Sequence, residues 1–506
     1  MRRAATAEDV MGFTRRELLR LAGIGLGVAA GAGADTVAWA GRPRSDRGAG
    51  PREGIHLDWF TFRPGDTIHF RVSLVGSVQT TLSLYRLDQG SVYGADQLVA
   101  SYPIAVDNLQ RLVDPGILGA GFSVALSLPA SDLAPGFYEA RIPVEHIQPE
   151  NRSNSGNGFT TYNHLIRFVV TPSSAGSHSK ILALFDSLTG VAYSASGGAS
   201  IYGPSTLARR SVSWRRPGLE MATEHPREPL RFLRGRGFAF EFIDLIDLAL
   251  QPAGFLDAYD LVLAVGQFEY MPEHVLRNLT AFVESGGNLL AATHEFAIFR
   301  VRLEWGASQL TTYKWDWQSA DPYALSGDPA AAPAIAGVGM NLPASTLETE
   351  LIGQTVWAAH RATQGVWVDM PIFNGGDVSW ILAGTGFEQT GLLPGAFCNY
   401  ASGNLLSFDA GGRPVIEDIG RSRTPSETRV WAAVPSPDAR AWWAAQGRDV
   451  AYWPFVSNGY ATATVQQRAS GGTVVTLPSP QFFTSHFGHS GYERLLVNLT
   501  SNLSSR

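Results

Sequence analysis

The pattern of apolar residues changes character at residues 171–179, a stretch rich in Ser, Gly and Pro that reads as the best linker in the chain. Before it, from 54 to about 172, apolar and polar residues alternate in short runs: Ile68-His69-Phe70-Arg71-Val72-Ser73-Leu74, Thr81-Leu82-Ser83-Leu84-Tyr85, Phe137-Tyr138-Glu139-Ala140-Arg141-Ile142-Pro143-Val144 and Ile166-Arg167-Phe168-Val169-Val170. A period of two puts one strand face in a core and the other in water. With Gly, Pro and Asp between the runs, it predicts an Ig-like β-sandwich over 54–172 with a long polar loop at 149–157. Beyond the linker the runs are apolar throughout: Ile181-Leu182-Ala183-Leu184-Phe185, Phe238-Ala239-Phe240-Glu241-Phe242, Leu261-Val262-Leu263-Ala264-Val265 and Leu289-Leu290-Ala291-Ala292. Strands apolar on both faces need cover on both, which predicts a parallel α/β domain.

Helical stretches separate these strands, one near 229–234 and one from Pro272. In the second, Pro272 stands in the first turn, Leu276, Leu279, Phe282 and Val283 share one face, and Gly286-Gly287 end it. From 337 onward short strand signals and turns dominate, among them Trp380-Ile381-Leu382-Ala383, Leu405-Leu406-Ser407-Phe408 and Thr473-Val474-Val475-Thr476-Leu477, before a last helix over 492–503. The second domain is therefore read as 180–506, with an α/β core at about 180–325 and a strand-rich extension at about 337–506. No internal repeat is found.

The N-terminus reads as an address. Thr14-Arg15-Arg16-Glu17-Leu18-Leu19 precedes a weakly apolar run at 21–34, and Ala38-Trp39-Ala40 follows, a small-x-small pattern suited to signal peptidase. Residues 1–40 are similar to a twin-arginine export signal, so the expected location is periplasmic or secreted. The run is about 14 residues where a membrane span needs roughly 20, and no integral membrane segment is expected after cleavage. The twin-arginine route carries proteins that fold before they cross, often around an inserted cofactor.

Composition narrows the chemistry. A single cysteine among 506 residues excludes an internal disulfide and any cysteine-built zinc or iron–sulfur site within one chain. With 39 basic against 45 acidic residues and a net charge of −6, nothing electrostatic points to nucleic acid. Lys180 and Lys314 are the only lysines, leaving two positions for Schiff-base chemistry. There is no Gly-x-Ser-x-Gly elbow, His-Glu-x-x-His pair or Gly-x-x-x-x-Gly-Lys loop.

Ligands of an open parallel sheet lie beyond the carboxyl ends of its strands. Those ends carry Asp186, then Gln267 to Tyr270, then His294-Glu295, three loops able to converge on one crevice. Each also has a structural explanation: Asp186 as a cap, Tyr270 as a wall, His294 as a satisfied core group. His486-x-x-His489 has metal-like spacing on a loop, where histidines are usually solvated. Cys398 reads as a buried structural thiol. Trp315 and Trp317, flanking Asp316, suit either stacking on a small ligand or core packing.

Taken in order, Thr189-x-x-Ala192-Tyr193, Gly197-Gly198-x-Ser200-Ile201-Tyr202, Val265-Gly266-x-x-Glu269-Tyr270, Gly286-Gly287-Asn288-Leu289, Phe299-Arg300-Val301-Arg302, Tyr313-Lys314, Asp321-Pro322 and Ala383-Gly384-Thr385-Gly386 resemble the large (beta) subunit family of N,N-dimethylformamidase. The resemblance implies an α/β core like that of class I glutamine amidotransferases, which is flavodoxin-like, and hydrolysis of a small amide. It further implies a mononuclear Fe(III) held by two tyrosines and a glutamate, a hard cation that suits oxygen ligands and activates water. Carried over, the tyrosines are Tyr270 and Tyr313, about 43 residues apart. Tyr400 stands where the family has its metal-binding glutamate. Gln267-Phe268 replaces the family's His-Asp, and Gln481 before Phe482 replaces a late carboxylate, although Gln cannot be a general base. Glu269, Glu295 or a nearby histidine could supply a replacement ligand, and His294 or Glu295 is the nearest proton carrier. The expected partner is a small-molecule amide, with assembly into a homo-oligomer or with a small second subunit left open. The competing expectation is a catalytically silent binding module of the cell envelope that holds a small molecule or glycan in the same crevice.

Overall fold

A computed structural model describes residues 53–106, 115–147, 153–156, 159–202, 208–220, 226–339, 342, 348–355, 358–359, 366–373, 376–398, 400–417, 423–436 and 459–505, with backbone alone at 153–156, 159–161 and 219–220. The export signal expected at 1–40, and residues 149–152 and 157 of the polar stretch, lie outside the described residues. Among the described residues no helix is long and apolar enough to cross a membrane.

The alternating runs form strands β1 (Gly54–His56), β2 (Thr61–Phe62), β3 (Thr67–Ser73), β4 (Val78–Arg86), β5 (Gln97–Val106), β6 (Val124–Pro129), β7 (Gly136–Arg141) and β8 (Leu165–Val170). They make two sheets, β1-β3-β6 and β2-β8-β7-β4-β5. In β3, Ile68, Phe70 and Val72 are buried while the residues between them reach the surface. Phe70 of the first sheet meets Phe168 of the second edge-on at 5.8 Å, so the two apolar faces pack together. All six residues of β8 are buried, because the rings of Phe60 and Phe137 carry this unit onto Phe185 of the next one, at 6.5 and 5.3 Å. Part of the polar stretch read as a loop pairs instead: Ser153–Gly156 lies antiparallel to Phe159–Tyr162. The run Ser-Asn-Ser-Gly has no apolar alternation, and only its backbone pairing makes it a strand.

The second region continues with β9 (Ile181–Phe185), β10 (Ser211–Ser213), β11 (Glu241–Asp244), β12 (Leu261–Val265), β13 (Phe268–Pro272), β14 (Asn288–Ala292), β15 (Phe296–Glu304), β16 (Gln309–Thr311), β17 (Gly403–Phe408), β18 (Arg429–Pro435), β19 (Gly459–Gln467) and β20 (Thr473–Leu477). Helices used below are α1 (Ser187–Tyr193), α2 (Arg227–Gly235), α3 (Glu273–Glu284) and α4 (Ser490–Leu503). The architecture is mixed α/β and strand-rich. Five strands run parallel in the order β11-β9-β12-β14-β20, and β19 then adds antiparallel, with β17 and β18 both pairing onto it. Every residue of β9, β11, β12 and β14 is buried; β9 and β12 are apolar throughout, whereas β11 begins and ends on the hydrogen-bonded carboxyls of Glu241 and Asp244. The fifth parallel strand, residues 473–477, comes from within the region read as an extension, so the sheet spans the division placed at 325–337.

One strand expectation is overturned. Trp380-Ile381-Leu382-Ala383 is not extended, since Ser379–Leu382 is helical. A four-residue apolar run has no period to tell strand from helix, and packing decides. Asn498 of α4 donates to the carbonyls of Ile381 at 2.9 Å and Ala383 at 2.8 Å, satisfying acceptors that a helix end leaves open.

The linker is held at its end by a buried anion. Glu241 accepts hydrogen bonds from the backbone N–H groups of Gly176, His178 and Ser179 at 2.7 to 3.1 Å and from the Tyr259 hydroxyl at 2.7 Å. Buried charges join the two units as well. Arg231 of α2 donates to the carbonyls of Leu87 at 2.6 Å and Gly94 at 2.9 Å and pairs with Asp96, while Arg234 pairs with Asp88. Arg231→Met keeps the apolar stem and removes the guanidinium, stranding two carbonyls. We expect urea unfolding to show a loss of about 2–3 kcal/mol; a change within roughly 0.5 kcal/mol, the range of a neutral surface substitution, would contradict this account of the joint.

Candidate functional site

The order β11-β9-β12 reverses the direction of winding between β9 and β12, the place where open parallel sheets take ligands beyond their carboxyl ends. At the end of β9, Asp186 caps α1, its Oδ1 accepting from the Thr189 N–H at 3.0 Å, and α1 runs on to Tyr193. At the end of β12 the chain turns at Gly266, with φ 147°, into a further strand rather than directly into a helix. The end of β14 likewise passes through Thr293, His294 and Glu295 into β15. β13 and β15 pair parallel and, with β16 and β10, form a second, four-stranded sheet. Phe268 to Tyr270, read as a loop, thus begin a strand, while Gln267, His294 and Glu295 stay in the short turns just before β13 and β15; the sequence hides the strand because all of β13 is buried and shows no alternation.

These strand starts bring ionisable groups together out of water. The Tyr193 hydroxyl donates to Glu269, and the Gln267 amide donates to the Tyr193 hydroxyl at 2.8 Å, to Glu269 at 3.4 Å and to Glu295. Tyr193 and Glu269 are 3 % exposed and Tyr270 is 0 % exposed, so the group is nearly dry. Burial, with Glu295 beside it, raises the Glu269 carboxyl well above the usual carboxylate range, against the opposing pull of Lys314. Burial and the neighbouring carboxylates likewise hold the Tyr193 and Tyr270 phenols well above their ordinary value. The Tyr270 hydroxyl is set against Glu269, and among the described residues no hydrogen bond of acceptable geometry satisfies it.

An aromatic wall closes the group. The Tyr193 ring meets those of Tyr202 at 4.4 Å and Tyr270 at 6.0 Å, and Tyr270 stacks on Phe299 at 5.3 Å. The Lys314 ammonium lies over Tyr202 and Phe299, each at 4.7 Å, and over Tyr270 at 5.2 Å. Lys314 and Ala297 both adopt left-handed backbone, at φ 46° and 53°, which costs a non-glycine residue about 1–2 kcal/mol and collects where surrounding structure imposes it.

Of the residues singled out from sequence, Tyr270 and Glu295 fall inside this group. His294 stands at its edge, with Nε2 3.5 Å from Glu295, and its ring stacks on Tyr400 at 5.4 Å, which brings Tyr400 alongside. The ring of Tyr313 faces elsewhere, with the guanidinium groups of Arg210 and Arg302 at 5.3 and 5.9 Å. Tyr193 and Tyr202 supply the phenols that meet Tyr270. Both stand in the family-like motifs, yet nothing in their spacing says that a turn after α1 folds them together. Gln267, read as a lost polar group, is the bridge between the two carboxylates.

Other candidates have structural duties. His486 stacks on Tyr492 at 4.1 Å with Nε2 3.0 Å from the Ala396 carbonyl, and His489 caps α4. Gln481 accepts from the Cys398 N–H at 2.8 Å. Trp315 packs edge-on against Phe299 at 6.3 Å. Among the described residues no three or more His, Cys, Asp or Glu side chains are grouped to hold a metal ion, so a cation at the crevice would rest on phenols together with carboxylates.

Comparison with known proteins follows from this geometry. No curated protein matches the chain significantly. A β-galactosidase of Rahnella sp. R3 aligns at 14% identity with a TM-score of 0.28, over 64% of this chain and 31% of its own, and a cytoplasmic protein of Salmonella typhimurium at 10% identity and 0.27, over 64% and 98%. The chain thus spans less than a third of that β-galactosidase, and neither likeness bears on the site. The profile of the family described as "N,N-dimethylformamidase beta subunit-like, C-terminal" matches residues 91–484, from the first unit through β20, and the chain belongs to that family.

Proposed function

We propose that this protein is an exported, metal-dependent hydrolase of a C–N bond in a small amide, with an Ig-like sandwich ahead of a flavodoxin-like core of the glutamine amidotransferase kind. The parallel strand order, 2-1-3-4-5 in chain order, supports that core. The observation that carries the function is the dry Glu269–Glu295 pair bridged by Gln267, with the buried Tyr270 hydroxyl set against Glu269.

The donors there are oxygens, which fits a hard trivalent cation such as Fe(III). Glu295 and Tyr270 would hold it, with Tyr193, Tyr202 and Tyr400 as the further phenols of the region. When bound, such a cation polarises an amide carbonyl and lowers the pKa of water. The chain's own residues do the rest. Gln267 keeps the two carboxylates in register. Glu269, with its raised proton affinity, holds a proton that an amine leaving group needs. His294, facing Glu295, carries protons between the pair and the rim. The apolar rings of Phe299 and Tyr202 exclude bulk water and strengthen each of these interactions.

Iron-supplied protein should contain about one iron per chain, show a visible tyrosinate-to-iron band, and release amine from short N-alkyl amides. Tyr270→Phe should weaken the band and the hydrolysis together. Folded protein that stays colourless and metal-free with iron supplied would sink the iron mechanism. One observation favours a silent binding module instead: Gln481 stands where the resemblance expects a carboxylate, and it is engaged by the Cys398 backbone. That reading expects saturable binding of an amide or glycan with no amine released.

A further inference from the structure

Arg216 is one of the most deeply buried charged residues of the fold, at 2 % exposure, and among the described residues no carboxylate pairs with it. Its guanidinium is met by main-chain oxygens alone. Nη1 donates to the carbonyls of Ser196 at 2.8 Å and Ala199 at 2.5 Å, and Nη2 to those of Val191 at 2.6 Å and Ser194 at 3.0 Å. All four acceptors belong to the end of α1 and the turn that follows it. That turn contains Gly197 and Gly198, both left-handed at φ 78° and 76°, a conformation in which backbone freedom is large unless something fixes it. A cation at the carboxyl end of α1 is also favoured by the carbonyls left open there.

The turn separates Tyr193 from Tyr202, whose rings meet at 4.4 Å. Backbone bonds fold it back onto α1, with Ile201 N–H donating to the Ala192 carbonyl at 3.0 Å. Arg216 itself follows β10, an edge of the four-stranded sheet whose other edge, β13, carries Glu269 and Tyr270. The guanidinium therefore links the segment that bears two of the phenols to the sheet that bears the third. Burying a charge without a carboxylate costs several kcal/mol before compensation, and four carbonyl dipoles aimed at it are what offset that cost. A purely apolar side chain in the same space would leave those four carbonyls without a donor, so the guanidinium is what holds the turn.

We propose that Arg216 is a positioning residue, whose four-carbonyl clamp sets Tyr193 and Tyr202 against Tyr270. The inference rests on the reading of this group as the reaction centre, but the clamp can be tested without any reaction. Tyrosine nitration by tetranitromethane, mapped by peptide mass spectrometry, reports each phenol separately. In Arg216→Met, Tyr193 should become at least about tenfold more reactive while Tyr138 and Tyr492, buried far from the clamp, stay protected. Arg216→Lys, which keeps the charge but has fewer donors in a different geometry, should fall between. Two results would overturn the proposal: Tyr193 as protected as in wild type in both folded variants, or Tyr138 and Tyr492 opening together with Tyr193, which marks general loosening. Should Arg216→Met fail to fold, Arg216→Lys decides by the same comparison. Selective opening of Tyr193 in a protein that hydrolyses no amide would uphold the clamp and remove only the reaction.

Discussion

Under the proposed hydrolase reading, Glu269→Gln should slow amide hydrolysis about 10²–10⁴-fold, the usual worth of a positioned acid or base, and should make the fold more stable. The two effects have one origin. Glu269 and Glu295 are carboxyl groups held in a dry place by a single amide, and placing both charges there is opposed by burial and by mutual repulsion. Glutamine keeps the shape and an oxygen acceptor for the Tyr193 hydroxyl, removes one ionisable group, and should add about 1–3 kcal/mol to the unfolding free energy. Amine release at saturating amide gives the first number and thermal unfolding at neutral pH the second. Unchanged turnover would remove Glu269 from the mechanism. A less stable variant would mean that the carboxylate charge is already matched in the resting protein, by Lys314 or by a bound cation.

A second large effect concerns pH. Asp186 is pushed up from 3.8 to about 8 and Asp244 from 3.8 to about 7, each chiefly by burial and only partly offset by hydrogen bonds to backbone N–H groups. A carboxyl that binds its proton more tightly folded than unfolded lends stability that is complete below its unfolded value and drains away as pH rises through its folded value. His56, lowered from 6.5 to about 4 by burial, acts in the opposite sense but only below 6.5. Between pH 6.5 and 8 the wild type should therefore lose stability as pH rises. Asp186→Asn keeps an oxygen for the Thr189 N–H and cannot ionise, so its curve should be shallower by roughly 1 kcal/mol per pH unit. By pH 9 the variant should lead by an amount on the order of 4 kcal/mol. Parallel curves for the two proteins, measured by urea unfolding across this range, would show that Asp186 titrates normally.

How much of this was legible in the chain depends on whether the signal was local. Ile181 to Phe185, Leu261 to Val265 and Leu289 to Ala292 carry their structure in composition, because a strand covered on both faces has to be apolar at each position. Trp380 to Ala383 did not, since four apolar residues suit a helix turn as well as a strand and the deciding partner, Asn498, lies far along the chain. The site divides the same way. Strand ends pointed to Asp186, Glu269, Tyr270, His294 and Glu295 because the rule for parallel sheets needs only the order of elements. Tyr193 and Tyr202 escaped because their meeting depends on a turn clamped by Arg216; Gln267 was placed at a strand end, but its bridging role escaped because substitution of a polar group by an amide reads as loss until its neighbours are seen.

The parallel sheet is laid down in an unusual order. Four of its parallel strands are complete by Ala292, whereas the fifth, β20, begins at Thr473, and α4, which packs against β14, ends at Leu503. During synthesis the flank of β14 must wait while some 180 residues emerge, with its hydrogen-bonding edge and the apolar faces of Leu289 and Leu290 uncovered. Such late closure slows folding and lengthens exposure to wrong partners. β19 cannot shield that edge, because it is made only just before β20 and pairs with β20 rather than with β14.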